Sequence, residues 1–189
     1  MSSARECARG RTRPVLTGPT ILTISRIILA IAFAIFAMLP CLWARITAII
    51  LFAIAIITDK IDGIWARKKH LVTDLGAFLD PLADKILTSL AFLILVYQNI
   101  VPLWVFAIIL VRDYIIDGLR MALAKKTTIA ASIYGKLKTA SQTIAIFILF
   151  LSTIITAEPL KIVGDVILYI SLALTIISGL DYIIKATKK

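Results

Sequence analysis

Residues 58–85 read TDKIDGIWARKKHLVTDLGAFLDPLADK. Four of these aspartates, Asp59, Asp62, Asp80 and Asp84, lie between long apolar runs with the character of membrane spans. A charged group at or near bilayer depth is costly and is kept mainly for function. On a helix, Asp59, Asp62 and Ala66 share one face, and so do Gly76, Asp80 and Asp84, because the spacings are three and four residues. Two such faces set against each other make one pocket lined by four carboxylates. Left unpaired, each charge would cost several kcal/mol to desolvate. Two divalent cations would balance four aspartates, and all-oxygen ligands suit hard ions such as Mg²⁺ or Mn²⁺. The competing reading is an ion-pair network in which Lys60, Arg67 and Lys85 neutralise the acids. It leaves Gly63 and Gly76 unexplained, whereas both suit close approach of a ligand or a second helix to the backbone.

Composition sets the class. Of 189 residues, 60% are hydrophobic, and mean hydropathy is +0.99. A soluble domain would be about 45–50% apolar, so an integral membrane protein is expected. A net charge of +10 would point to nucleic acid in a soluble protein. Here topology marking and anionic lipid head groups account for it better, and no nucleic-acid partner is expected. Cys7 and Cys41 have neither metal-ligand spacing nor a disulfide pattern. His70, beside Lys68 and Lys69, reads as a solvated loop residue.

Residues 1–19, with Arg5, Arg9, Arg11 and Arg13 and the breakers Pro14, Gly18 and Pro19, read as a basic tail on the membrane surface. A signal peptide is the weaker alternative, because the apolar stretch that follows is long enough to span. Residues 20–189 read as one membrane domain. Runs suited to about 30 Å of hydrocarbon recur at 21–39, 44–65, 78–97, 102–124, 135–156 and 162–184. The expected fold is therefore an all-α integral membrane protein, a bundle of six transmembrane helices. Fourteen lysines and arginines fall in the tail, the 67–75 loop, the 125–138 region and the C-terminus, against only Arg45 and Lys161 in the opposite connections. That asymmetry predicts cytoplasmic termini and a cytoplasm-facing aspartate site.

The spacing Asp59-x2-Asp62-Gly63-x2-Ala66-Arg67-x8-Gly76-x3-Asp80-x3-Asp84 matches the signature of the CDP-alcohol phosphotransferases at every position. Eight specified residues over 26 positions make a specific match. Within that family, three further stretches resemble the branch that makes phosphatidylglycerophosphate. They are PTILTISRI with Thr23 and Arg26, RDYIIDGLR, and IYGKLKTASQ. The likeness runs from about Pro19 to Gln142 and carries over Arg112, Asp113, Gly118, Arg120, Gly135, Lys136, Lys138, Thr139 and Gln142. It departs from the pattern at Asp113, where glutamate is commoner, and at Asp117, where a small residue is usual. The last two spans read as generic apolar helix, with Asp165 and Asp181 unexplained.

The resemblance implies a membrane enzyme that transfers the phosphatidyl group of CDP-diacylglycerol to sn-glycerol 3-phosphate and releases CMP. It leaves room for a homodimer. Asp59, Asp62, Asp80 and Asp84 would hold two Mg²⁺ or Mn²⁺ ions, and Asp84 would also take the acceptor's proton. Asp59, Asp62, Gly63, Ala66, Arg67 and Gly76 would bind the CDP moiety of the donor. Arg112, Arg120, Lys136 and Lys138 would hold the acceptor phosphate. Arg112 and Arg120 are eight residues apart and so lie on nearly one helix face. The alternatives are ion pairs of Arg112 with Asp113 or Asp117 and of Arg120 with Asp117, snorkelling for Arg26, and topology marking for the two lysines. Phosphatidylglycerol or inositol phosphate as acceptor, or a cation path along the aspartates, are the competing functions.

Overall fold

In the computed structural model the described residues are 18–69, 74–123, 133–155 and 157–187. Side chains are described over 24–58, 82–119, 133–155 except Tyr134, and 157–184. These residues form six α-helices and no strand: α1 Gly18–Met38, α2 Leu42–Lys69, α3 Asp74–Tyr97, α4 Leu103–Leu123, α5 Ile133–Ser152 and α6 Glu158–Thr187. The all-α expectation holds: α2, α3 and α6 extend beyond the expected runs, while α5 stops four residues short of its expected end.

The largest shift is at the aspartate motif. Helix α2 continues to Lys69 and α3 starts at Asp74, so the connection expected between the 44–65 and 78–97 runs contracts to residues 70–73. That link, with His70, lies outside the described residues. Trp65 to Lys69 contains no breaker, and Arg67, Lys68 and Lys69 suit a helix C-terminus by propensity and by the dipole. Helix α3 runs through Pro81, which therefore sits in its interior rather than in a first turn. A proline there removes one backbone hydrogen bond.

Three turns gather at one end. Gln98 Nε2 donates to the Ala37 carbonyl at 3.0 Å, which ties the α3–α4 turn to the end of α1. Arg45 Nη1 donates to the Thr153 carbonyl at 3.0 Å, which ties the start of α2 to the end of α5. Arg45 is thus more than one of the two cations left in the opposite connections. Helix α3 closes on Asn99 at φ 57°. The Ile100 N–H donates to the Leu95 carbonyl at 2.9 Å and the Asn99 N–H to the Val96 carbonyl at 3.0 Å. That pair of bonds is the Schellman pattern, which an asparagine can enter because it tolerates the left-handed region.

Helix α1 packs on α2 and α3, α6 packs on α5 and α4, and α5 also touches α2 and α3. The seams are built from small residues and rings. Ala30, Ala48, Ala55, Ala91 and Ala145 are fully buried. Phe33 meets Phe52 and Phe150 at 5.3 Å between centroids, and Phe52 meets Phe150 at 6.4 Å. The outward faces carry the branched aliphatics instead: Ile28, Ile31 and Ile35 on α1, Ile50, Ile54 and Ile57 on α2, and Ile108, Val111 and Ile115 on α4 are exposed. A helix in water does the reverse, burying its aliphatic stripe and exposing its polar one. Small residues inside and isoleucine outside is how helices pack when their surroundings are as apolar as they are. Among the described residues one stretch, Glu158–Ile184 of α6, is long and apolar enough to cross a membrane.

Candidate functional site

Away from those turns the bundle is polar. A cavity of about 580 Å³ opens between α3, α4, α5 and α6. Helix α3 supplies Asp84, Lys85 and Thr88, and α4 supplies Arg112, Asp113 and Asp117. Helix α5 adds Gly135, Lys136, Lys138, Thr139 and Gln142, and α6 adds Ser178 and Tyr182. Each set follows from helical spacing. Gly135, Lys138, Thr139 and Gln142 recur every three or four residues, as do Asp84 and Thr88.

Two carboxylates organise the cations. Asp113 Oδ1 accepts from Arg112 Nη1 at 3.1 Å and pairs with Lys138 Nζ. Asp117 pairs with Lys85, whose Nζ also donates to the Asp113 carbonyl at 3.1 Å and lies 5.1 Å from the Tyr114 ring centroid. The second arm of Arg112, Nη2, donates to Ser178 Oγ at 2.6 Å. One turn deeper, Gln142 Nε2 donates to Thr175 Oγ1 at 3.3 Å. A guanidinium carries five N–H donors in a fixed fork. Each Nη of Arg112 therefore keeps a second hydrogen for a ligand oxygen.

Of the expected acceptor-phosphate residues, Arg112, Lys136 and Lys138 line the same cavity as Asp84. Arg120 lies eight residues further along α4, and its side chain is outside the described residues. Asp59, Asp62, Gly63, Ala66 and Arg67 lie in the C-terminal half of α2, and Gly76 and Asp80 in the first third of α3. Their backbone is helical, so both carboxylate faces keep the expected register, while their side chains are outside the described residues. Helices α1 and α2 run antiparallel with Phe33 against Phe52.

The structure decides several of the alternatives. Arg26 does not snorkel: it is 3% exposed and shares the inner face of α1 with Ala30 and Phe33. Lys138 is not a topology marker, being 5% exposed and paired with Asp113, as a buried ammonium must be. Asp117 pairs with Lys85, and the alternative pair of Asp117 with Arg120 lies outside the described side chains. The alternative ion pair of Arg112 with Asp113 does form.

Helix α6 is not generic either. Ser171, Thr175 and Ser178 are all buried, on the face that also carries Tyr182 into the cavity. Their spacing of four, three and four residues was the signal, a polar stripe in an otherwise apolar helix.

This geometry sits in a chain whose residues 16–177 match the sequence model of the CDP-alcohol phosphatidyltransferases. The chain belongs to that family. It is 38% identical over 184 residues to the CDP-diacylglycerol–glycerol-3-phosphate 3-phosphatidyltransferase of Bacillus subtilis, covering 88% of this chain and 93% of the relative. A probable phosphatidylglycerophosphate synthase of Mycobacterium tuberculosis is 40% identical over 147 residues, covering 77% and 68%. The CDP-diacylglycerol–glycerol-3-phosphate 3-phosphatidyltransferase of Shigella flexneri is 37% identical over 171 residues, covering 87% and 92%. Family membership makes the protein a transferase and sets the cation path aside.

Among the described side chains no group of three or more His, Cys, Asp or Glu is clustered, and three of the four motif aspartates fall outside that set. As a donor set, carboxylates at i, i+3 on α2 and i, i+4 on α3 fit hard divalent cations.

Proposed function

We propose that the protein transfers the phosphatidyl group of CDP-diacylglycerol to sn-glycerol 3-phosphate, forming phosphatidylglycerophosphate and CMP. The observation that carries this is the shared cavity. Asp84, the last residue of the donor signature, lines the same space as Arg112, Lys136 and Lys138. A phosphorylated acceptor held by those cations would bring its hydroxyl toward Asp84. The names of the relatives point to the same donor and acceptor.

In this reading Asp84 takes the proton of the acceptor hydroxyl as its oxygen bonds to the β-phosphorus. The bond from that phosphorus to the bridging oxygen breaks, and the electron pair leaves with CMP. Arg67 grips the diphosphate, while Gly63 and Ala66 leave room for cytidine and ribose. Arg112 and Lys138 hold the acceptor phosphate together with Lys136 and Arg120. Asp59, Asp62, Asp80 and Asp84 would hold two divalent cations, Mg²⁺ or Mn²⁺, whose chemistry is to neutralise charge on the diphosphate.

The outward isoleucines, the six helices and the charge asymmetry support a six-span bundle in the cell membrane. The cavity and both termini would face the cytoplasm, with the basic tail ahead of α1. Supplying purified protein with CDP-diacylglycerol and each acceptor in turn, and measuring CMP, tests the function. Release with phosphatidylglycerol or inositol phosphate but not with glycerol 3-phosphate would overturn the acceptor assignment.

A further inference from the structure

The polar stripe of α6 takes no part in the chemistry above, yet it touches the group that matters most to the acceptor. Ser178 is 2% exposed. Its hydroxyl donates to the Thr175 carbonyl of its own helix at 3.2 Å, and its oxygen accepts from Arg112 Nη2 at 2.6 Å. Thr175 repeats the device one turn earlier: its hydroxyl donates to the Ser171 carbonyl at 2.6 Å and accepts from Gln142 at 3.3 Å. A hydroxyl has one hydrogen. Once that hydrogen is spent on the backbone, the oxygen is left as a fixed acceptor. Helix α6 thereby offers lone pairs to donors on α4 and α5.

The next residue closes the seat. A Cβ on Gly179 would lie 3.1 Å from Arg112 Nε and 3.4 Å from its Cγ. The bare glycine thus lets the α6 backbone press against the arginine stem. Asp113 holds Nη1 at 3.1 Å, so the fork is gripped at both tips and flanked along its stem. An arginine has several rotatable bonds and loses entropy when it is ordered by a ligand. Here that ordering is complete before the ligand arrives.

We propose that Ser178 and Gly179 are positioning residues, a seat on α6 that fixes the Arg112 guanidinium for the acceptor phosphate. The inference rests on the acceptor reading given above, and the test separates the two. Initial rates are measured against glycerol 3-phosphate and against CDP-diacylglycerol for Ser178→Ala, Arg112→Ala and the double variant, with thermal midpoints in detergent. Ser178→Ala is expected to raise the KM for glycerol 3-phosphate roughly three- to tenfold, with the donor KM and the midpoint unchanged. In the Arg112→Ala background the same change is expected to add nothing, because its effect runs through the arginine. Gly179→Ala, which crowds Nε while leaving Ser178 in place, is expected to raise the same KM.

Equal factors for Ser178→Ala in both backgrounds, or no effect in either, would overturn the seat. If Arg112→Ala raises the donor KM instead, and Ser178→Ala follows it without adding, the seat stands and the acceptor assignment falls.

Discussion

Helices α5 and α6 meet along a seam whose two halves use opposite chemistry. Toward the three-turn end, Gly164 faces Leu149 so closely that a Cβ there would lie 2.7 Å from Cδ2 and 2.9 Å from Cγ. Leu149 and Leu168 are fully buried beside it. Toward the cavity the same two helices meet through Gln142 and Thr175, and α6 reaches α4 through Ser178 and Arg112. The apolar half fixes how close the helices come, by shape and dispersion. The polar half uses that fixed distance to hold charged and amide groups in one geometry. Damage to the first half is therefore expected to read as lost stability, and damage to the second as lost substrate handling.

The largest effect belongs to the motif carboxylates of α2 and α3. Chelation with EDTA is expected to stop CMP release, and Mg²⁺ or Mn²⁺ to restore it, since clustered acids need compensating charge. Turnover that survives thorough chelation would sink the two-cation reading and favour ion pairs with Lys60, Arg67 and Lys85. Next comes Asp84→Asn, expected to slow turnover about 10²–10⁴-fold while CDP-diacylglycerol binding is largely kept. A variant turning over at the wild-type rate would remove Asp84 from the chemistry.

The basic residues should divide by substrate. Arg112→Ala and Arg120→Ala are expected to raise the KM for glycerol 3-phosphate, and Arg67→Ala the KM for CDP-diacylglycerol. Losing a charge-assisted bond of about 1.5–3 kcal/mol corresponds to roughly ten- to hundredfold. Titrating both substrates against all three variants decides it, and a donor defect in Arg120→Ala would move that residue out of the acceptor pocket.

The smallest kinetic effect is expected on the apolar side. Gly164→Ala must displace a fully buried leucine. Overpacking of that kind costs about 1–3 kcal/mol, so the melting midpoint in detergent should fall. Both KM values should stay at their wild-type levels. A Gly164→Ala variant with a weakened acceptor KM and an unchanged midpoint would break the division between the two halves.

What could be read from the chain alone was what depends on neighbours within a few residues. The motif from Asp59 to Asp84 names its family because its spacing is a helical spacing, and a helix carries that spacing into space unchanged. The apolar runs gave the all-α class for the same reason. The stripe Ser171, Thr175, Ser178 and Tyr182 was equally local, but in an apolar run it gave no hint of which helix it would meet.

Partners were decided only by the tertiary structure. Arg112 finds Ser178 across 66 residues, Gln142 finds Thr175 across 33, and Lys138 finds Asp113 across 25. Each cation had several acids within reach of a sequence argument, and Lys85, set among the motif acids in sequence, pairs with Asp117 on α4. A side-chain pair between helices is set by crossing geometry and by how closely the backbones approach. Those depend on where the alanines, glycines and rings of every seam fall together, which no single stretch of sequence contains.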